Sequence, residues 1–229
     1  MDSSPDTTNE GVMASHPTGA DSAGSAAPNY AARNRRREET RERILVNAAD
    51  FFYRRGILSV SMDDVAAHVG VTKPTLYAHF ESREALVGAA LNTVEESHFQ
   101  WFERRLAEFV EQGVVAVIAP FDVLDLWFGS SVFRGCAYQN ASVEVGSAMP
   151  HAQVAVLRHK DRTRKWLHDL AAESGVPPER CETISAQFML LMEGAIITAF
   201  IESDDQAAVR AREAAEVLLE KVLETASTG

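Results

Sequence analysis

From Asn34 to the C-terminal end, apolar residues return at three- and four-residue spacing almost without interruption, and runs alternating apolar with polar residues are few. One face of an α-helix recurs every 3.6 residues whereas a strand face recurs every second residue, so this period specifies amphipathic helices. No glycine-rich strand-to-helix turn of the nucleotide-binding kind is present. The expected fold class is therefore all-α: about nine helices without internal repeat, arranged as a small three-helix head with a helix-turn-helix and a larger helical body.

The punctuation sets the expected boundaries. A first helix is expected from about Glu38 to Arg55, with Ile44, Leu45, Ala48, Phe51 and Phe52 inward and Gly56 ending it. Ser61 is placed as N-cap of a short helix, with Asp64 as the capping-box acid. Gly70 ends that helix, Thr72 caps the next, and Pro74 falls in its first turn, where a missing N–H costs nothing. Ser82 opens a long helix to about Val110, and further helices are expected near 114–128, 136–145, 150–174, 178–203 and 205–226. The stretch before Asn29 is rich in Ser, Thr, Ala, Gly, Pro and Asp and lacks periodicity. It is expected to be disordered. The organisation expected is a tail over 1–32, a small helical head over 33–82 and a larger helical body over 83–229.

Charge is divided unevenly along the chain. Residues 30–80 carry nine basic and six acidic residues, while the first 29 carry four acids and no base, and the chain as a whole stands at −11. Contact with a polyanion is thus expected only in the one locally basic segment. The N-terminal residues lack the basic start and apolar run of a secretory signal. The apolar stretches 113–121 and 188–200, interrupted by Pro120 and Glu193, are shorter than a bilayer span. A cytoplasmic protein without a membrane anchor is expected. Cys136 and Cys181 have no metal-ligand spacing and are expected to be reduced, buried thiols; no metal or cofactor is expected.

Two short helices joined by a tight turn place the second in the major groove of DNA, which admits one helix of that width. In Thr72-Lys73-Pro74-Thr75-Leu76-Tyr77-Ala78-His79-Phe80, Leu76 and Phe80 can face inward together. Thr72, Lys73, Thr75, Tyr77 and His79 are then left outside as hydrogen-bonding groups for phosphates and base edges. Alternatively, Tyr77 and His79 pack a junction between head and body. The basic run that includes Arg37 and Arg41 is either a solvated stretch or an arm that reaches phosphates or a minor groove.

The stretch MDDVAAHVGVTKPTLYAHF ahead of ESREAL, with FFYRRG closing the preceding helix, resembles the DNA-binding domain of the TetR family of bacterial regulators over about Glu38 to Leu91. The resemblance implies that Thr72, Lys73, Pro74, Thr75, Tyr77 and His79 belong to a recognition helix on double-stranded operator DNA, and that Ser61 starts the helix that touches phosphate. Where the family has Thr two residues before Val60, this chain has Leu58-Ser59.

Apolar stripes on the last two long helices (Phe188, Leu191, Met192, Ala195, Ile196, Ala199; Val209, Ala214, Val217, Leu218, Val222) are either intrachain core or a pairing surface. The resemblance implies a homodimer through a four-helix bundle, two heads across a palindrome, and a body pocket whose small-molecule effector releases DNA. The candidate effector residues are Trp127, Tyr138, Asn140, Phe188, Met192 and Glu193. An isolated Glu193 in an apolar helix needs a ligand cation, a hydroxyl or a nearby Arg. A regulator without a ligand, or controlled by a partner protein, is the alternative. An enzyme built on His151, His159 and His168 is the remote third, because spacings of eight and nine are too long for paired metal ligands on one helix.

Overall fold

A computed structural model describes residues 26–227 of the chain. Among the described residues there is no strand, and the element order is α1 (Ala26–Arg55), α2 (Met62–Val69), α3 (Lys73–His79), α4 (Arg83–Glu111), α5 (Ala119–Phe128), α6 (Ala137–Glu144), a 3₁₀ turn (Gly146–Ala148), α7 (Pro150–Glu173), α8 (Pro178–Glu202) and α9 (Ala207–Ser227). The chain is all-α.

Two starts differ from the sequence-based expectation. α1 begins at Ala26, well ahead of Glu38, because Ala26, Ala27, Ala31, Ala32 and the arginines after them are strong helix formers even without an apolar face. Residues 1–25 of the expected tail lie outside the described residues, and its remainder, 26–32, is helical. α5 starts at Ala119 rather than at Val114. Pro120 is the reason: in a helix from Val114 it would remove an interior hydrogen bond, whereas at the second position it removes none.

The described residues up to Glu39 fall in a unit of their own; within it Tyr30 is exposed and the Arg33 guanidinium lies 5.8 Å from its ring. The second unit, from Thr40 onward, holds everything else. Its α1 residues Ile44, Leu45, Ala48, Ala49 and Phe52 are buried, and Phe51 stacks on His68 of α2 with ring centroids 4.2 Å apart. Gly56 ends α1 at φ 85°, where a Cβ is disfavoured. Arg83, at the start of α4, donates to the carbonyls of Ile57 and Val60, tying the loop between α1 and α2 to the helix that continues into the body.

In the body α4 packs on α7, α7 on α8, and α8 on α9. Phe121 and Phe188 are fully buried and meet edge to face at 5.7 Å, each contributing about 1.5–3 kcal/mol by removal from water. α8 is long and apolar enough to cross a bilayer by length and composition, with mean hydropathy 1.8. Glu193 interrupts its apolar stretch 188–200, and the helix runs through that residue and packs against both α7 and α9, as a core helix does.

Candidate nucleic-acid interface

Ser61 opens α2 in an extended conformation. Its hydroxyl accepts from the Asp64 amide at 3.2 Å, and the Asp64 carboxylate accepts from the Ser61 amide at 2.9 Å. Two donors at the helix start are thereby satisfied reciprocally. The Ser61 hydroxyl also donates to that carboxylate, and these bonds hold Asp64 below the ordinary carboxylate range. Gly70 then turns the chain at φ 73° and ψ 40°, a left-handed conformation that suits glycine.

Thr72 caps α3: its oxygen accepts from the Thr75 amide at 3.3 Å and lies 2.8 Å from the Thr75 hydroxyl. Pro74 sits in the first turn. A helix of seven residues does not hold itself in water; buried Leu76 and Phe80 anchor it. The other face presents Thr72, Lys73, Pro74 and Tyr77 to solvent, with Thr75 and His79 half-buried. Tyr77 keeps 47% of its surface exposed, which argues against packing as its purpose. His79 leans inward, its ring 6.3 Å from that of Phe80.

Lys73 Nζ is 2.8 Å from Asp63 on α2, both side chains well exposed. The hydrogen bond to Asp63 raises the Lys73 pKa, so the ammonium is charged, and an exposed pair of this kind is weak enough for a phosphate to replace it. The Arg41 guanidinium lies 5.3 Å from the Phe80 ring, which stations a cation at the C-terminal end of α3. Arg37 is exposed on α1 within the separate N-terminal unit. Ser61 is exposed at the opening of α2.

The candidate effector residues do not share one site. A cavity of about 380 Å³ lies among α1, α4 and α6, with Trp127, Tyr138 and Asn140 on its wall. A smaller space of about 50 Å³ in the body is lined by Trp127, Met192 and Glu193 with Phe99, Phe102 and Trp166. Phe188 lines neither and is core packing. Glu193 has two partners, Lys160 of α7 and the Gln139 amide of α6 at 2.7 Å, so a lysine meets the need that the sequence posed.

Sequence reasoning passed over Tyr53 and Glu144 on the wall of the large cavity, and weighed His159 there only for an enzyme. Tyr53 donates to the Gly135 carbonyl at 2.8 Å and accepts from the Arg134 amide at 2.7 Å. Glu144 accepts from the Leu58 amide at 3.0 Å. His159 is buried and stacks on Tyr138 at 3.7 Å; burial is the main cause that lowers its pKa to about 3, as it lowers that of His98 to about 4. An acid as the last residue of α6 was a legible signal, since a helix C-terminus disfavours negative charge unless a donor compensates it. Of the two further histidines of the enzyme alternative, His151 pairs with Glu84 at 2.8 Å and His168 lies 3.6 Å from Asp169. Among the described residues no three His, Cys, Asp or Glu side chains gather as a metal site. Cys136 and Cys181 are free and buried.

Comparison with known proteins bears on residues 44–90, which match the family model for bacterial regulatory proteins of the tetR family. The transcriptional regulator TtgR of Pseudomonas putida is 38% identical over 61 residues, 27% of this chain; the chain thus spans about three tenths of that relative, 29% of its length. An uncharacterized HTH-type transcriptional regulator of Mycobacterium tuberculosis is 27% identical over 172 residues, covering 72% of this chain and 86% of the relative. Among solved structures, a TetR-family transcriptional regulator from Streptomyces coelicolor superimposes with a TM-score of 0.69 at 26% identity, over 86% of this chain and 96% of that one.

Proposed function

Because the chain belongs to the TetR family of bacterial regulatory proteins, we propose that it is a homodimeric transcriptional repressor that binds a palindromic operator and is released when a small molecule occupies its helical body. The observation that carries this reading is α3, a short capped helix whose buried face is Leu76 and Phe80 and whose outer face is hydroxyl, ammonium and phenol. That is the equipment for reading a major groove: Lys73 and Thr75 reach base edges and phosphates, Tyr77 donates to phosphate, and Ser61 and Arg41 contact the backbone on either side. Residues 33–82 form the head in this reading and residues 83–229 the body.

A head this small binds weakly alone, and pairing two across a palindrome doubles the contact. The α8 stripe named from the sequence is intrachain core, Phe188, Met192, Ala195, Ile196 and Ala199 all being buried, and it is the outer side of α8 that supports pairing through the last two helices. Leu190, Ile197 and Ile201 lie there at 73%, 40% and 71% exposure, and a Cβ on Gly194, between them on the same face, would meet nothing within 4 Å. An apolar strip with a small residue at its centre permits close helix approach. Val217 on α9 is 65% exposed as well.

The test is selection of genomic DNA fragments by the purified chain, with a Lys73→Ala/Tyr77→Ala variant in parallel and both repeated at raised salt. A recovered palindrome, bound by the wild type and lost by the variant, is the expected result. Retention that is blind to sequence and merely weakens with salt would refute the operator-reading assignment.

A further inference from the structure

We infer that the outermost strip of α3, formed by Pro74 and Ala78, recognises the 5-methyl groups of thymine, so that each operator half-site is selected chiefly by thymine methyls at two neighbouring base pairs rather than by hydrogen bonds to purine edges. This inference rests on the regulator reading above and adds to it what the helix reads.

The strip follows from the helical turn. Successive residues of an α-helix stand about 100° apart. Leu76 is fully buried and sets the inward direction of α3. Pro74 and Ala78 each lie two residues from it, about 200° round the helix, and so point away from the core. Both are exposed. Lys73 and Tyr77, also exposed, flank the strip on one side, and the half-buried Thr75 and His79 flank it on the other. The part of α3 that projects furthest is therefore a proline ring and an alanine methyl.

The polar groups beside the strip are directed elsewhere. The Thr72 and Thr75 hydroxyls are 2.8 Å apart, and the Thr72 oxygen accepts from the Thr75 amide at 3.3 Å. Residues 72–79 contain no Arg, Asn, Gln, Asp or Glu, the side chains that, with lysine, read the edges of guanine, adenine and cytosine. Lys73 is of that class, but its ammonium lies on Asp63 of α2, the side on which the first helix of such a pair crosses the phosphate backbone.

Thymine is the base whose major-groove edge carries an apolar group, and small apolar side chains such as alanine are its complement. Pro74 and Ala78 are about 6 Å apart along the helix axis, and base pairs are about 3.4 Å apart along the duplex, so the strip covers adjacent or alternate pairs. One methyl removed from water against it is worth about fourfold in affinity, and about 15-fold when the same contact is made in both halves of a palindrome.

The test uses the full chain and the operator recovered from genomic fragments. Each thymine of a half-site is replaced in turn, symmetrically in both halves, by uracil, which lacks the 5-methyl and keeps every hydrogen-bonding group of the edge. Affinity is read by fluorescence anisotropy. At two positions the loss is expected to be about 15-fold, and at the others less than about twofold. Pro74→Ala and Ala78→Gly assign the positions, each reducing the penalty at its own thymine by at least about threefold and leaving the other penalty unchanged. Should Ala78→Gly lose helical circular dichroism, Pro74→Ala, which places a strong helix former in the first turn, answers the question at its own base pair. Uracil duplexes bound as tightly as thymine duplexes, or penalties that persist unchanged in each folded variant, overturn the inference and leave the regulator standing. So does a loss on replacing guanine by 7-deazaguanine that exceeds every uracil penalty, since it hands the readout to Lys73. A chain that recovers no specific sequence refutes the regulator reading itself, and this inference with it.

Discussion

Lys73 is the residue whose replacement separates an operator-reading helix from a solvated one most sharply, because its partner in the free protein is visible. In the structure its ammonium is spent on Asp63, 2.8 Å away, with the two side chains 47% and 69% exposed. To reach a phosphate it must leave that partner. Each phosphate neutralised adds about 0.9 to the slope of log affinity against log salt, so Lys73→Ala in both heads of a dimer lowers the slope by about 1.8. At 0.15 M salt that corresponds to a loss of roughly 30-fold in operator affinity. Asp63→Asn moves the other way, since the ammonium no longer has to be released: operator binding tightens by up to about fivefold per head. Neither change touches a buried group, so the melting temperature moves by less than about 2 °C in either variant. The assay is fluorescence anisotropy on the selected operator at four or more salt concentrations, with thermal melts as control. Parallel salt plots for wild type and Lys73→Ala, with unchanged melting, refute the placement of α3 on the phosphate backbone.

Three further outcomes follow from the same geometry. Ile197→Glu/Ile201→Glu places two carboxylates on the exposed strip of α8 and is expected to convert dimer to monomer in sedimentation velocity while the helical content is kept; a variant that sediments as wild type removes this face as the pairing surface. Tyr53→Phe strips the hydroxyl from the Gly135 carbonyl and the Arg134 amide and is expected to cost about 1–3 kcal/mol in a denaturant titration; no shift in midpoint contradicts the bridge. The third concerns acid: the folded chain keeps His159 neutral to about pH 3, well under the ordinary histidine value of 6.5. The unfolded state therefore binds the extra proton first, and the stability this histidine contributes is complete above about pH 6.5 and falls as pH drops toward the folded value. The slope attributable to it reaches up to about 1.4 kcal/mol per pH unit. His159→Phe, which keeps a ring against Tyr138, is expected to flatten the stability profile between pH 6 and 4, and an unaltered profile contradicts the buried neutral imidazole.

The head was more legible in the sequence than the body, for a physical reason. Ser61, Asp64, Gly70, Thr72 and Pro74 act through the backbone within three or four residues of themselves, so their roles are written in local spacing. Leu76 and Phe80 likewise follow from the helical period. The candidate effector residues depend on which helices meet across the body, and that is set by packing among α4, α7, α8 and α9, which no local period encodes. Phe188, for example, has the same surroundings in sequence as Met192, yet it is buried against Phe121 while Met192 reaches a cavity. The straps were missed for the same reason: Tyr53 meets residues 134–135, and Glu144 meets Leu58, across more than eighty positions of chain. The early start of α1 is the opposite case, a stretch where alanine and arginine propensity sufficed and the absence of an apolar face was misread as the absence of a helix.

Three backbone-directed bonds close the large cavity around its walls: Tyr53 to the Gly135 carbonyl, the Leu58 amide to Glu144, and Tyr138 to the Leu91 carbonyl. Taken at about 1 kcal/mol net each, they favour the closed arrangement by about 3 kcal/mol per protomer and about 6 kcal/mol in a symmetric dimer. A swing from 1:99 to 99:1 between two states takes about 5.5 kcal/mol. Under the proposed function the straps are of the size a switch requires: strong enough to keep a released conformation rare, weak enough for one bound molecule per protomer to reverse the balance. Glu144→Ala removes about 2 kcal/mol from the dimer and so raises the released fraction roughly 30-fold. The variant is expected to hold operator measurably more weakly than the wild type, read in an anisotropy titration on the selected operator. If Glu144→Ala weakens folding but leaves the operator affinity of the folded protein unchanged, the contact between α6 and the head is structural only.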